Sequence, residues 1–240
     1  MDDSIKLKDK DGVKMIAHRG FSSVYPENTC TAFLAAAKRS YYGIETDLRL
    51  TADGNFVLFH DDCLYRVFGV RKRVKKCSLA ELRALRGVGK DGAPCADLQI
   101  PVLKEFLEIC RGYNKQAVIE IKGRLTTEKI RALVAAIGRE NCLNRTTFIS
   151  FRRRDLLRIK KAFPQADTQW LRKRISVINR AVARRDKMDL AVRKTGLNAY
   201  LVGGFLKKGG KINVWTVDTQ AEFLAVKGYG VTFVTTNGLE

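Results

Sequence analysis

Short hydrophobic runs that end in polar residues alternate along the chain with stretches in which hydrophobic residues recur every three or four positions. The first pattern is typical of β-strands and the second of amphipathic helices. Strands are predicted at 14–18, 43–50, 56–60, 116–122, 146–151, 167–171, 199–203, 212–217 and 231–236, and helices at 28–40, 78–86, 126–140 and 151–163. This alternation predicts an α/β fold with a parallel sheet, either open and doubly wound or closed into a barrel.

One interval departs from the alternation. Only TADG (51–54) separates the second and third predicted strands, which is too short for a parallel crossover and indicates an antiparallel hairpin. Residues 61–101 are rich in Lys, Arg, Gly and Asp and form a long excursion before the next helix. Because no Pro- or Ser-rich linker divides the chain, we expect residues 1–240 to form a single domain with an insertion at 61–101.

The chain is strongly basic. Its 240 residues contain 45 Lys and Arg against 25 Asp and Glu, a formal net charge of +20, and the segment 151–211 alone contains 18 basic and 4 acidic residues. Such an excess fits a solvated cationic surface, an anionic membrane surface contacted through 151–211 and its amphipathic stretch 151–163, or nucleic acid. The charge alone leaves these three alternatives open.

Two further patterns concern the environment of the protein. No hydrophobic run is long enough to span a bilayer, and the N-terminal residues lack the hydrophobic core of a secretory signal. The six cysteines are scattered without a C-x-x-C pair, which favours reduced thiols. We therefore expect a cytoplasmic protein.

Three carboxylates lie within runs that should form buried strands. Glu45 and Asp47 are two positions apart on one strand and so face the same side of the sheet, and Glu120 and Lys122 repeat this arrangement on another. A buried carboxylate is costly unless a cation compensates it. The pattern indicates either a structural network of ion pairs or, as we prefer, a site for a divalent cation such as Mg²⁺ or Ca²⁺, which takes oxygen ligands.

The chain has only two histidines, His18 and His60, and each follows a short hydrophobic run. Active sites of α/β barrels lie at the carboxyl ends of the strands, so we expect both histidines near the carboxylates. Two imidazoles can act as general base and general acid near neutral pH. Arg19 and Lys122 add two positive charges, and the whole set suits an anionic phosphoryl group.

Several motifs occur together in one order. They are AHRG-(x)5-PENT-xx-AF (17–33), IETD (44–47), the turn T-x-DG, FHDD (59–62), I-P-x-L-x-E-F-L (100–107), IEIK (119–122), ISF (149–151) and VWTVD (214–218). This ordered set closely resembles the glycerophosphodiester phosphodiesterases from about residue 14 to about residue 236. The resemblance implies a single, somewhat irregular triosephosphate-isomerase-type (β/α)8 barrel with an insertion after the third strand. It also implies hydrolysis of a glycerophosphodiester to glycerol 3-phosphate and an alcohol such as choline, ethanolamine or glycerol.

The same resemblance implies roles for individual residues. The implied site consists of the metal ligands Glu45, Asp47 and Glu120, the general base His60, the general acid His18, the phosphate ligands Arg19 and Lys122, and the substrate-lining Trp215. Pro26, Glu27 and Asn28 also match the family pattern, and we interpret them as setting the entry into the first helix. One departure concerns the end of the last strand, where the family often has Thr-Asp and this chain has Thr236 and Asn237.

Two alternative functions remain open at the level of sequence. Barrels related to this family cleave lysophospholipids or phosphoinositides, so a lipid diester at a membrane surface is an alternative substrate. A polyanion- or nucleic-acid-binding protein is the alternative outside the enzymes, although no nucleic-acid-binding module is recognisable and no specific nucleic acid is expected. The alcohol, the choice between Mg²⁺ and Ca²⁺, and the attacking group, either water or the neighbouring glycerol hydroxyl, are not determined by the sequence.

Overall fold

The computed structural model describes residues 5–7, 9–88, 94–95 and 98–240. Its strands are β1 (Lys14–Ala17), β2 (Gly43–Leu50), β3 (Phe56–Leu58), β4 (Gly87–Val88), β5 (Pro94–Cys95), β6 (Gln116–Ile121), β7 (Thr146–Ser150), β8 (Asp167–Arg172), β9 (Asp189–Arg193), β10 (Ile212–Trp215) and β11 (Phe233–Thr236). Its α-helices are α1 (Cys30–Ala37), α2 (Tyr65–Phe68), α3 (Leu79–Ala84), α4 (Leu103–Gly112), α5 (Thr127–Arg139), α6 (Arg153–Ala162), α7 (Val177–Arg185), α8 (Ala199–Leu206) and α9 (Gln220–Lys227).

Eight parallel strands close into a barrel. Their order around the barrel is β1, β2, β6, β7, β8, β9, β10 and β11, and β1 closes the ring by pairing with both β11 and β2. Helices connect the successive strands, as parallel crossovers require. The predicted irregular (β/α)8 barrel is therefore confirmed, and the open doubly wound sheet is excluded.

Two hydrophobic layers hold the barrel together. Phenylalanines from the helices and strands, including Phe33, Phe106 and Phe148, belong to the large buried cluster that packs the helices against the sheet. A second cluster consists of one residue from each of six barrel strands, namely Ile16, Val118, Ile149, Leu171, Ala191 and Phe233. Because Glu120 lies two positions beyond Val118 on β6 and faces the same side, this second cluster forms the layer beneath the polar residues of the barrel interior.

The predicted hairpin is confirmed, and it changes how His60 reaches the barrel. β3 runs antiparallel to β2, with Leu48 opposite Leu58 and Leu50 opposite Phe56. The carboxyl end of β3 therefore points back toward the barrel, and Phe59 N donates to Asp47 O at 2.8 Å. His60 arrives at the level of the β2 carboxylates because β2 extends beyond the barrel rim and β3 returns along it, whereas His18 follows an ordinary parallel strand.

One predicted strand is wrong and one barrel strand was missed. Residues 199–203 were predicted as a strand but begin α8. Asn198 caps this helix by accepting a hydrogen bond from Leu201 N, and Val202 and Phe205 are buried three positions apart, which is helical spacing. The missed strand, β9, supplies the pairing that β8 and β10 need, but its short hydrophobic stretch is bounded by charged residues.

The predicted excursion between β3 and α4 contains α2, α3 and the short pair formed by β4 and β5. A small hydrophobic cluster joins the excursion to the barrel. It contains Val57 of β3 together with Leu64, Val74 and Leu82 of the excursion. Residues 89–93 and 96–97 of the excursion lie outside the described residues. The excursion packs on β3 through this cluster and so covers the side of the barrel next to His60.

The basic stretch 151–163 forms α6, whose hydrophobic face packs inward. Leu156 and Ile159 are fully buried in the main core, so α6 is an outer barrel helix with a cationic exposed face.

None of the helices in the described part of the chain is long and hydrophobic enough to cross a membrane. The six cysteines are free thiols in the structure.

Candidate active site

The three predicted carboxylates converge inside the barrel. Parallel pairing of β2 with β6 sets Asp47 directly opposite Glu120, and Glu45 lies two positions earlier on β2. One carboxylate oxygen from each of the three lies within 4.8 Å of the others, and all three residues are buried. The pattern of alternate carboxylates on two strands thus becomes one compact acidic cluster.

Burial and mutual repulsion decide the ionisation of the cluster. Burial raises the pKa of Glu45 well above its usual range, and the neighbouring carboxylates Asp47 and Glu120 raise it further. Burial also raises the pKa of Glu120 to about 7, although Lys122 opposes this shift. Burial would raise the pKa of Asp47 as well, but Lys122 and Arg19 outweigh it and hold that pKa below its usual range. Additional positive charge is therefore needed to ionise all three groups.

Two cations flank the cluster. Lys122 Nζ lies 2.8 Å from Glu120 Oε1 and 3.1 Å from Asp47 Oδ1. Arg19 Nε lies 3.1 Å from Asp47 Oδ2, and the backbone N of Arg19 donates to Glu45 Oε2 at 2.9 Å. The two predicted phosphate ligands thus stand on either side of the central carboxylate.

The turn after β1 is shaped to present Arg19. Arg19 has φ of 56°, in the left-handed region, so that its backbone N and its side chain both reach carboxylates of β2. Gly20 follows with φ of 81°, and a Cβ at this position would come within 2.6 Å of the Ala32 carbonyl carbon. The Gly of the HRG sequence is therefore required by the close approach of this turn to α1.

Asn28 has a role that sequence reasoning missed. Its side-chain nitrogen donates to Asp47 Oδ2 at 2.8 Å, and its side-chain oxygen accepts from Thr46 Oγ1 and Asp47 N. The next residue, Thr29, is the N-cap of α1 and accepts from Ala32 N. Asn28 thus orients a carboxylate of the cluster, although we had interpreted it only as part of the helix entry.

His18 is oriented by the opposite end of the chain. Its Nδ1 lies 2.8 Å from Asn237 Oδ1, and the Asn237 side-chain and backbone nitrogens donate to the two carboxylate oxygens of Asp218. Because the amide oxygen can only accept, His18 Nδ1 carries the proton and Nε2 is left for chemistry. Burial, with Arg19, lowers the pKa of His18. Asn237 therefore provides the hydrogen-bond acceptor for the His18 ring.

His60 is oriented by its neighbour in sequence. Its Nδ1 lies 2.6 Å from Asp61 Oδ1, and Arg66 Nε of α2 donates to Asp61 Oδ2 at 2.5 Å. Arg66 also bonds to Glu27, which in turn pairs with Arg19 at 3.0 Å. Burial lowers the pKa of His60, and the Asp61 hydrogen bond opposes that shift. His60 Nδ1 carries the proton, so its Nε2 is also left for chemistry.

A cavity of about 160 Å³ joins these groups. Seven of the eight predicted residues line it, namely His18, Arg19, Glu45, His60, Glu120, Lys122 and Trp215. The remaining residue, Asp47, contacts both Lys122 and Arg19. The Trp215 ring stands edge-on to Phe151 with centroids 5.8 Å apart, and its Nε1 is buried without a hydrogen-bond partner among the described residues. The structure thus brings all eight residues together.

The carboxylate cluster fits a hard divalent cation. Three carboxylate side chains supply the oxygen ligands that Mg²⁺ and Ca²⁺ prefer. Asp47 Oδ1 is buried and contacts Lys122 Nζ at 3.1 Å, and it accepts no further interaction from the described residues that meets hydrogen-bond geometry. Lys122 and Arg19 alone leave the three carboxylates one positive charge short of neutrality when all are ionised, so a divalent cation is electrostatically acceptable here.

The positioning residues Asp61, Asn28 and Asn237 were missed for different reasons. Asp61 directly follows the predicted site residue His60 in FHDD, and Asn28 lies within the motif PENT, so the available signals were sequence adjacency for Asp61 and the family motif for Asn28. Asn237 could be connected with His18 only once the barrel was closed, since 219 positions separate them.

Comparison with known proteins agrees with this geometry. The family model for the glycerophosphoryl diester phosphodiesterase family matches residues 18–240. A glycerophosphodiester phosphodiesterase of Caldanaerobacter subterraneus is 32% identical over 232 residues, which cover 94% of each chain. An Oleispira antarctica phosphodiesterase, solved in complex with the product sn-glycerol-3-phosphate, superposes with a TM-score of 0.85 at 25% identity and with 93% and 92% of the two chains covered. The Thermotoga maritima glycerophosphodiester phosphodiesterase superposes with a TM-score of 0.77 at 28% identity, with 94% of this chain and 95% of that chain covered. The chain therefore belongs to the glycerophosphodiester phosphodiesterase family.

Proposed function

We propose that this chain is a metal-dependent phosphodiesterase that hydrolyses glycerophosphodiesters to glycerol 3-phosphate and an alcohol. The observation that carries the proposal is the buried cluster of three carboxylates with two cations beside it and two histidines in the same cavity. A structural ion-pair network would have no use for two imidazoles whose Nε2 atoms have no hydrogen-bond partner in the described part of the chain. Membership of the family supports the same reaction.

Glu45, Asp47 and Glu120 would hold Mg²⁺ or Ca²⁺. A divalent cation at this position supplies positive charge for a phosphate oxygen and lowers the pKa of an oxygen bound to it. The raised pKa of Glu120 supports this role, since it indicates that the neighbouring cations do not fully compensate the negative charge of the three carboxylates.

Arg19 and Lys122 would bind the substrate phosphate. Both side chains line the cavity, and each is held by two carboxylates, those of Asp47 and Glu27 for Arg19 and those of Asp47 and Glu120 for Lys122. Their charges are positioned before the substrate arrives, so they stabilise the charge of the phosphoryl oxygens during displacement without reorganising. Trp215 would form the wall of the substrate site, and its unpartnered Nε1 would donate to a substrate oxygen.

His60 would act as the general base and His18 as the general acid. The Asp61 carboxylate beside His60 stabilises the imidazolium that forms when the base removes a proton. Among the described residues, the hydrogen-bond partner of the His18 ring is the neutral amide of Asn237, so its imidazolium would be stabilised less and would release its proton to the leaving alkoxide more readily. The two partners thus support the order of roles that the family resemblance implies.

The alternative substrate is a lysophospholipid. It differs from glycerophosphocholine only by an acyl chain on the glycerol, so the same phosphoryl chemistry would apply. Assays of both diesters under the same conditions separate the two substrate classes.

We also propose a cytoplasmic location, which the free thiols support.

The decisive test is a product assay. Purified protein with Mg²⁺ or Ca²⁺ should release glycerol 3-phosphate from glycerophosphocholine, and His18→Ala or His60→Ala should lower kcat by about 10²–10⁴-fold. Asn144→Ala is a matched control, because Asn144 is exposed and remote from the cavity. The proposal is refuted if the wild type releases no glycerol 3-phosphate with either ion, or if His18→Ala is as active as the wild type.

A further inference from the structure

The most exposed large hydrophobic side chains of the described residues occur together. Tyr200, Ile178 and Val177 expose 82%, 76% and 62% of their surface, more than any other large hydrophobic residue in that part of the chain. Val177 and Ile178 are the first two residues of α7, and Tyr200 is the second residue of α8. Exposed hydrophobic residues that cluster in this way indicate an interaction site.

The starts of these two helices adjoin. Ile175 N donates to Gly196 O at 2.9 Å, and a Cβ at Gly196 would come within 1.9 Å of the Lys173 carbonyl oxygen. Arg180 of α7 reaches across to α8, where its Nη1 donates to Leu201 O at 3.3 Å. Val177, Ile178 and Tyr200 therefore belong to one surface, which we call the α7–α8 surface.

A cationic cavity continues this surface between the two helices. It has a volume of about 400 Å³, and Arg180, Arg184, Lys207 and Lys208 line it beside Tyr200, with no acidic residue among the lining side chains. Within the described residues, none of these four cations forms an ion pair. The cavity is thus ready to accept an anionic group.

The α7–α8 surface lies at the same end of the barrel as the candidate active site. α7 and α8 follow β8 and β9, so both helices begin at the carboxyl ends of parallel barrel strands. His18 lies just beyond the carboxyl end of β1, which is parallel to them. The cationic cavity extends from Tyr200 along the two helices to Arg184 and Lys207 near their carboxyl ends. A bilayer that touches both parts would therefore lie along α7 and α8, with its hydrophobic contacts beside the rim of the barrel mouth.

We propose that the α7–α8 surface docks on an anionic phospholipid bilayer. Val177 and Ile178 gain free energy only by leaving water for hydrocarbon, and tyrosine favours the boundary between hydrocarbon and headgroups. Arginine and lysine beside them attract anionic headgroups, and the cavity receives a lipid phosphate. A nucleic acid would satisfy the cations but offers no hydrocarbon for the two aliphatic side chains. α6 is the weaker candidate for this contact because its hydrophobic face is buried in the core.

The test is binding to vesicles, which does not depend on turnover. Protein is sedimented at about 0.15 M salt with vesicles of phosphatidylcholine alone and with vesicles that also contain phosphatidylserine. We expect binding to the anionic vesicles, and a loss of at least about tenfold in Val177→Ser/Ile178→Ser/Tyr200→Ser and in Arg184→Glu/Lys207→Glu. An Ile178→Trp variant should show a blue-shifted emission when the anionic vesicles are added.

Matched controls separate the surface from general effects. Leu224→Ser removes an exposed hydrophobic residue of α9, and Arg131→Glu/Arg139→Glu makes the same change in net charge on the exposed side of α5. Both controls should bind as the wild type does. All variants should hydrolyse soluble glycerophosphocholine at the rate of the wild type, so failure of the docking surface is distinguishable from failure of the proposed reaction.

Four outcomes would overturn the proposal. They are no binding of the wild type to anionic vesicles, equal binding to neutral vesicles, an equal loss in the control variants, and an unshifted Ile178→Trp emission. Tight binding of duplex DNA that Val177→Ser/Ile178→Ser/Tyr200→Ser leaves unchanged, without vesicle binding, would identify a polyanion as the partner instead.

Discussion

The two histidines of the site differ in the residue that holds each ring. Asp61 follows His60 directly in the sequence, whereas Asn237 reaches His18 from the end of the last barrel strand. Sequence patterns predicted both histidines because each follows a hydrophobic run, but they could not predict Asn237 as a partner. The contact depends on how β1 and β11 pair, which is a property of the closed barrel.

Replacing Asn237 tests the orientation of His18. Asn237→Ala removes the acceptor of the Nδ1 proton, so the ring can rotate or change tautomer, and we expect kcat to fall by about 10–100-fold with little change in KM. The measurement is steady-state kinetics on glycerophosphocholine, with the exposed Asn144→Ala as control. Unchanged kcat in Asn237→Ala would show that the contact does not orient the acid.

The pH profile tests His60 as the base. A base works in its deprotonated form, and burial holds the pKa of His60 below 6.5, so kcat/KM should begin to fall only as the pH drops through a value below 6.5. The Asp61 hydrogen bond raises this pKa, so Asp61→Asn should lower it, move the acid limb to still lower pH and reduce kcat. Asp62→Asn is the matched control, because Asp62 is exposed and pairs with Arg49 and Arg73. An acid limb that stays in place in Asp61→Asn would exclude His60 as the group that titrates.

Among the secondary-structure elements, the hydrophobic pattern predicted the barrel strands well where the run is long. β2, β6 and β7 are continuous buried runs, as parallel strands covered on both faces should be. Residues 199–203 resemble such a run, but they follow the capping residue Asn198 and form α8. Local composition could not show that residues 199–203 form a helix while 189–193 form strand β9. The strand is required there because β8 and β10 both pair with β9 in the closed barrel.

α6 offers a test of stability at the level of one helix. Asp155 in its first turn is fully buried and pairs with Arg152 at 2.9 Å and Arg158 at 3.0 Å. Asp155→Asn removes the negative charge, and because both arginines are partly exposed we expect a loss of only about 1–2 kcal/mol in the free energy of unfolding. Urea unfolding measures it, with exposed Asp167→Asn as control. A loss no larger than that of the control would show that solvent screens these pairs completely.

For the molecule as a whole, the net charge of +20 has separate parts. Arg19 and Lys122 compensate buried carboxylates and are explained by the proposed chemistry. Arg180 and Arg184 of α7 and Lys207 and Lys208 just after α8 line a cavity that has no acidic side chain among its described lining residues. Other cations, such as Arg153 with Asp186, form ordinary ion pairs. Total charge therefore did not identify the function, since it does not show which cations are already paired.

A divalent cation should stabilise the whole fold. By the proposed role it would bind the folded protein through carboxylates of two barrel strands, and at 100 times Kd this would add about 2.7 kcal/mol, or roughly 5–10 °C in Tm for a chain of this size. Thermal unfolding in Mg²⁺ or Ca²⁺ against EDTA measures the shift. Glu120→Gln should abolish it and the exposed Glu128→Gln should keep it. The same shift in both variants would place the ion elsewhere.

The two halves of the site depend on contacts at very different separations along the chain. One half depends on the β2–β3 hairpin, and the other depends on the pairing of β1 with β11. Asp47 and His60 are set relative to each other by a hairpin, which needs only neighbouring residues to fold. His18 meets Asn237 across 219 positions, so it is oriented only after the last strand has joined the first. During refolding, recovery of catalytic activity should therefore report completion of the ring, and a chain with every strand but the last in place would still be inactive.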